Sequence, residues 1–429
     1  MNKFQIIVLG ILAGAIAIAL LIFSGVFSGL DSGKKQFEGV SLSMWGISAP
    51  SIFEKALDGI ERSAGVKIKY FQKPENVYET ELIDALASGQ GPDIWEMPQG
   101  WILKHQAKVL ALGFEAFSER RFKDTFIEAG EAYLKEGGMY GLPFYLDPMV
   151  LYWNRDLFSN AGISQPPKDW EEFLSDARKL TAIDSSGNIL QSGAALGEVD
   201  NISNFKEIFS LLILQTGNPI FNRQTGKITL REEKDSLNPA ENALGFFIEF
   251  SDPAKSSYSW NRAMPEASQA FSEGKLAMYL GFAGEYNKIK EKNPHLDFDA
   301  ALIPQIKDFS NKTTFAKVRA LVVSAGSRNP EAAWFSVFNL AGTANVKEFS
   351  TGFFLPPVRR DLLSQKPEDA VLSVFYSSAL ISKTWLEPDP VQTPEIFTNM
   401  VKSVLSGKKR ISRAVNDASE QLQALIKSD

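Results

Sequence analysis

The chain opens on an apolar run and then settles into short apolar segments of alternating period. Ile6 through Leu30 carry no charged residue. A helix rises ~1.5 Å per residue, so this stretch covers about 37 Å and exceeds the ~30 Å hydrocarbon core of a bilayer. A secretory signal has an apolar region of only about 7–15 residues followed by a small-residue cleavage site, and no A-x-A site follows here. An uncleaved N-terminal transmembrane helix is therefore expected, with Asp31–Gln36 as a polar linker, so that residues 1–36 form an anchor. Lys3 precedes the run and Asp31, Lys34 and Lys35 follow it, so charge counting leaves the topology open.

Beyond the linker, Ser41–Trp45 reads as a short strand, and Ser51 with Glu54 has the spacing of a capping box. Ile52, Phe53, Ala56, Leu57 and Ile60 recur at helical spacing, and Gly65 is placed to end that helix. Val66, Ile68 and Tyr70 then alternate with lysines as a half-buried strand does. Leu82, Ile83 and Leu86 mark a second helix and Asp93–Met97 a third strand. This order of elements predicts a parallel α/β layer with right-handed crossovers. The pattern returns later. Asp169 and Glu172 cap a helix whose inner face is Trp170, Phe173, Leu174, Ala177 and Leu180. Asn329–Pro330 supplies an N-cap and a first-turn proline. Ile396, Phe397, Met400, Val401, Val404 and Leu405 form a late apolar stripe.

Length and composition narrow the function. At ~150 residues per domain, 429 residues make two or three units, and 44% apolar with 22% charged residues is ordinary for a globular chain. A net charge of −6 argues against nucleic acid, which needs a basic footprint. There is no cysteine, which excludes thiolate zinc sites, iron–sulfur clusters, cysteine nucleophiles and a lipid anchor on an N-terminal cysteine. The two histidines, His105 and His295, are far apart, so no histidine-based metal site or triad is expected, and no cofactor is implied.

Five segments carry a resemblance. They are SGQGPDIW (Ser88–Trp95), the long run GGMYGLPFYLDPMVLYWNRDLFSNAGISQPPKDWEEFLSDARKLT (Gly137–Thr181), AFSEGKLAMYLGF (Ala270–Phe282), SAGSRNPEAAW (Ser324–Trp334) and GFFLPPVRR (Gly352–Arg360). In that order they resemble the carbohydrate-type extracellular solute-binding family, of maltose-binding-protein type, and the resemblance covers nearly everything after residue 37. It implies a periplasmic-binding-protein-like α/β fold of two lobes joined by crossing strands, a ligand cleft, and closure by hinge motion. The lobes implied are 37–146 with 303–350, and 147–302 with 351–429. The family works outside the cytoplasmic membrane and delivers its ligand to the permease subunits of an ABC transporter. That implies an extracytoplasmic body on a single-pass anchor, with no enzymatic activity.

Sugars present flat C–H faces and rings of hydroxyls, so a site needs aromatic platforms with paired donors and acceptors. Trp45 ends the first strand and is expected at the cleft, unless it is a core-edge Trp. Gln99 and Trp101 follow the third strand in a loop that resembles a family contact loop, although Trp101 at that position could face the core. Asp147 matches a carboxylate that the family's maltose-binding members use for hydroxyl contacts, against a hinge-stabilising role. Tyr258 and Trp260 are candidates for a second aromatic wall. Phe282 stands where the family often carries a cleft aromatic. Trp153, Trp170 and Trp334 read as packing residues. Lys317 and Arg319 depart from the small residues that the family pattern leads one to expect there. They are either solvated charges or a basic wall for an anionic ligand such as a sugar acid or sugar phosphate. A glycoside hydrolase would need two carboxyl groups about 5–10 Å apart, and no such pair stands out. Two rival functions are a binder of a non-sugar solute such as a polyamine and a surface protein that takes no part in transport.

Overall fold

The computed structural model describes residues 35–233 and 238–427. The expected transmembrane helix lies outside the described residues, and among these no helix is long and apolar enough to cross a membrane. The described residues divide into two compact units, the first running up to Leu146 with Val318–Gln365 and the second Asp147–Lys317 with the residues from Lys366 on.

In chain order the first segment holds β1 (Ser41–Gly46), α1 (Glu54–Ala64), β2 (Lys67–Gln72), α2 (Glu75–Ala87), β3 (Ile94–Pro98) and the start of β4 (Gly141–Asn154). The second holds the rest of β4, then α3 (Trp170–Leu180), β5 (Ile189–Ala194), α4 (Phe205–Gln215), α5 (Pro239–Glu249), β6 (Leu276–Phe282), β7 (Phe298–Ala301) and the start of β8 (Thr314–Val323). The chain returns to the first unit through the end of β8, α6 (Pro330–Leu340) and α7 (Thr343–Phe353), and finishes in the second with α8 (Gln392–Leu405) and α9 (Ile411–Lys427).

In the first unit β1 pairs in parallel with β2, Ser41 opposite Lys67, and with β3, Met44 opposite Ile94. Parallel neighbours cannot be joined by a hairpin, so α1 and α2 serve as crossovers. α1 buries Ala56, Ile60 and Ala64 and ends at Gly65, φ 82°. Phe53, fully buried, packs its ring at 5.0, 5.7 and 5.1 Å from those of Tyr70, Phe144 and Phe349. The expected capping box does not form. Pro50 starts a 3₁₀ turn over Pro50–Ile52, which places Ser51 inside that turn, and Phe53 precedes α1 without a side-chain cap.

In the second unit β4 lies between two antiparallel partners, β6 (Met149 opposite Phe282) and β7 (Leu151 opposite Ala301), and β6 pairs in parallel with β5. Every residue of β6 is buried, as a strand covered on both faces must be. Asp169 caps α3 as expected, accepting the Glu172 N–H at 2.8 Å, while the Glu172 carboxylate accepts the Lys168 N–H. α6 has its proline in the first turn but no bond from the Asn329 side chain. The stripe on α8 buries Ile396, Phe397, Met400 and Val401.

Two crossings fall later than the 302/303 and 350/351 implied by the resemblance, at 317/318 and 365/366. Hydrogen bonds decide both. Gln215 Nε2 donates to the carbonyls of Pro304 (2.9 Å) and Thr313 (3.0 Å), and Gln305 N to Lys168 O (3.0 Å), which keeps 303–317 with the second unit. Ile127 N donates to Val358 O (3.1 Å) and Arg360 Nε to Phe126 O (2.8 Å), which keeps 351–365 with the first.

Candidate functional site

Ligands of open α/β sheets sit beyond the carboxyl ends of parallel strands, where loops converge. In the first unit these ends are the residues after β1 and β3, together with Arg319 of β8, which lies opposite Pro98. At their centre is Glu96, a fully buried carboxylate in an otherwise apolar strand. Its Oε1 accepts from Ser48 N (3.2 Å) and the Tyr70 hydroxyl (3.1 Å), and its Oε2 from the Ser48 hydroxyl (3.0 Å) and Arg319 Nη1 (2.7 Å). Arg319 Nη1 also donates to Ser48 Oγ (3.1 Å), and the guanidinium carbon lies 3.6 Å from the Tyr145 ring centroid. Burial pulls the Arg319 pKa down, but the Glu96 carboxylate and Tyr145 outweigh it and hold it above the ordinary value. Burial and the same carboxylate push the Tyr70 hydroxyl well up. A side chain on Gly46 would overlap the Glu96 carboxylate, so the end of β1 has room only for glycine.

Tyr78 links this cluster to two residues expected from the sequence. Its buried hydroxyl donates to the carbonyls of Glu96 (2.9 Å) and Trp45 (3.2 Å), and its ring lies 5.3 Å from that of Trp101. Trp45 is half-buried, with the Lys73 ammonium 3.8 Å over its ring. Trp101 is buried between Tyr78 and His105. Gln99, also buried, accepts the Val318 N–H at 2.9 Å and so ties the end of β3 to β8.

In the second unit the loops after β5 and β6 converge. Asp147 is buried and its Oδ1 accepts the Gly284 N–H at 2.8 Å; a Cβ on Gly284 would come within 2.9 Å of Asp147 Oδ2. The same turn is held by the Tyr152 hydroxyl, which donates to Phe282 O (2.8 Å). It is held also by Glu285, which accepts from Phe282 N (2.8 Å), Asn204 Nδ2 (3.0 Å) and the Tyr279 hydroxyl (2.6 Å). Asp147 and Phe282 are thus brought to one turn, and the Lys317 ammonium lies 3.9 Å over the Phe282 ring.

Tyr258 is half-buried and accepts from Asn261 Nδ2 at 2.7 Å. Trp260 is a correction: it is fully buried and donates its indole N–H to Asn201 Oδ1 at 3.0 Å, so it packs the second unit and presents no wall. The basic wall is corrected too. Lys317 and Arg319 belong to different units, and Arg319 spends its charge on Glu96. Trp170 and Trp334 pack as expected, Trp170 donating to Gln215 Oε1 at 2.6 Å. Sequence reasoning missed Glu96, Asn201, Asn204 and Glu285. Glu96 did have a signal, because a carboxylate inside a buried strand needs partners. Asn201 and Asn204 owe their place to partners far away in the chain, while Glu285 joins the nearby Phe282 and Tyr279 to the distant Asn204.

Two α/β units threaded by discontinuous segments, with aromatic and hydrogen-bonding side chains gathered at the carboxyl ends of their strands, have the architecture of a two-lobed binding protein. The chain matches the family described as bacterial extracellular solute-binding protein over residues 46–337, and it belongs to that family. Among its relatives is a Brucella abortus protein named only as a binding protein, 23% identical over 389 residues, 87% of this chain and 90% of the other. The galactooligosaccharide-binding protein of Bacillus subtilis is 22% identical over 419 residues, 92% of each chain. A cyclo/maltodextrin-binding protein solved with maltotetraose shares the fold, at TM-score 0.72 and 18% identity over 93% of this chain and 98% of that one.

Proposed function

We propose that the protein captures a sugar or oligosaccharide outside the cytoplasm and hands it to an ABC transporter permease, closing its two units on the ligand. The observation that carries this is the family match over 46–337, a span that takes in Gln99, Trp101, Asp147, Phe282 and Arg319. The naming of relatives after oligosaccharides supports the ligand class. Half-buried Trp45 supplies an aromatic face, Asp147 and Tyr258 supply polar groups suited to hydroxyls, and the buried Trp101 and Gln99 brace the loop after β3. The role assigned is binding, with no catalytic step.

Closure makes capture measurable. The chain has no cysteine, so Ser88→Cys in the first unit and Ser159→Cys in the second, both exposed, accept a dye pair without background labelling. A ligand that touches both units selects the closed form through its differential affinity. Addition of the cognate saccharide is expected to raise energy transfer in a saturable way. A response to polyamines or organic acids and to no saccharide sinks the sugar reading; heat of saccharide binding without any change in transfer sinks closure.

We further propose that residues 6–30 anchor the protein as one uncleaved helix with the body outside. The uncharged run Ile6–Leu30 supports this. Mass spectrometry of the membrane fraction is then expected to find the Met1 peptide, and a mature terminus near residue 30 would overturn it.

A further inference from the structure

The first unit holds a charge pair whose arrangement bears on which ligands are accepted. Arg319 sits opposite Pro98, at the carboxyl end of β3. A guanidinium is charged at any physiological pH, and in that position it is suited to a carboxylate or phosphate. Here the counter-charge is internal. The Glu96 carboxylate, with a fully buried side chain, lies 2.7 Å from Arg319 Nη1. Four donors reach that carboxylate: Ser48 N, Ser48 Oγ, Arg319 and the Tyr70 hydroxyl, which it shares with Ser48 O at 2.6 Å. The guanidinium carbon also lies 3.6 Å from the Tyr145 ring centroid, so a swing to a second anion forfeits both partners. An acidic ligand at this end of the strands meets a pair with no net charge, so nothing offsets the cost of stripping water from its own carboxylate.

We propose that Glu96 is a specificity-determining residue: by neutralising Arg319 it selects uncharged saccharides over their acids. This rests on the sugar reading above. Glu96 acts through Arg319 and is not itself a ligand contact, because its oxygens are already occupied. Gln is isosteric with Glu, and an amide facing Arg319 still finds the Ser48 hydroxyl as an acceptor while it turns the guanidinium loose.

The test uses the full chain in detergent and calorimetric titration with a neutral saccharide that closes the protein and with the matching uronic acid. The wild type is expected to bind the neutral sugar at least about tenfold more tightly, since the acid must give up the hydration of its carboxylate and gains no net positive charge in return. Glu96→Gln is expected to shrink that preference by about tenfold or more, and added salt to restore it, because screening weakens the new attraction. Glu96→Gln combined with Arg319→Gln is expected to return the preference to the wild-type value, which a merely structural effect of the first change would not do. A wild type that prefers the uronate overturns the proposal, and that measurement needs no variant to fold. So does a Glu96→Gln protein whose preference is unchanged, or a double variant that keeps the shift. If neither protein binds any saccharide, the sugar reading falls and this inference with it; a changed affinity at constant preference counts against this inference alone.

Discussion

Lys206→Met is expected to destabilise the second unit by about 3–5 kcal/mol, the usual cost of removing one partner from a buried ion pair. Lys206 stands in the first turn of α4, its ammonium 3.0 and 2.8 Å from the two carboxylate oxygens of Glu387 and 3.4 Å from Glu207. With Trp385 Nε1 donating to Ser210 Oγ at 3.1 Å, this pair holds the segment before α8 against α4. Burial pulls the Lys206 pKa down, but Glu387 and Glu207 outweigh it and raise it above the ordinary lysine value. A raised lysine contributes stability that is fully present below its unfolded pKa of about 10.4 and lost as pH rises through the folded value. The wild type therefore keeps this contribution at neutral pH. Burial already pushes the Glu387 carboxyl up against the pull of Lys206; in the variant it is left beside Glu207 and Asp389 without that cation, which pushes it further up. A raised carboxyl costs nothing below its unfolded pKa of about 4.3 and costs most above its folded pKa. The gap between variant and wild type is thus expected to be widest at pH 7–8 and to narrow towards pH 5. At ~2–4 °C per kcal/mol for a unit of this size, scanning calorimetry should show a fall of about 6–20 °C at neutral pH. A fall under about 2 °C, or a gap that widens on acidification, would falsify the buried-pair account.

Asp147→Ala is expected to carry the second largest effect, in stability as well as binding. The buried Asp147 carboxylate accepts the N–H of the partly buried Gly284 at 2.8 Å. Removing it strands that N–H, which costs about 1–3 kcal/mol. The turn it holds carries Phe282 and Glu285, so saccharide affinity is expected to fall as well, by about tenfold or more if Asp147 also accepts a ligand hydroxyl. Asp147→Asn keeps one acceptor oxygen and should lose less on both counts. Melting curves and titrations of the two variants separate the roles. A lowered melting temperature at unchanged affinity makes Asp147 a residue of the turn alone, and unchanged melting in Asp147→Ala removes the Gly284 bond from its account.

Periodicity in the sequence already determined what depends on neighbours close in the chain. The alternation through Ile68 and Tyr70, the helical stripe from Phe53 to Ile60 ended by Gly65, and Asp169 before α3 each reflect a face that must be buried or a backbone group that must be paired. The structure realises each of them. Motif order was enough to name the family, because its segments recur in sequence. Fine placement failed where a local pattern had two outcomes: Pro50 turned Ser51 from a cap into part of a 3₁₀ turn.

The pairing of distant residues was decided only by the tertiary structure. Arg319 meets Glu96 across 223 positions, Gln99 meets the Val318 amide across 219, and Lys206 meets Glu387 across 181. None of these separations leaves a periodic trace, so a lone arginine on a strand reads equally as a wall for an anion or as half of a salt bridge. Trp260 shows the same limit. Aromatic residues near a ligand and aromatic residues in a core obey one hydrophobic rule, and only the Asn201 carbonyl oxygen at its indole nitrogen assigned it to the core. The sequence determines which groups must find partners; the topology, by bringing strands β3 and β8 side by side, decides which partners they find.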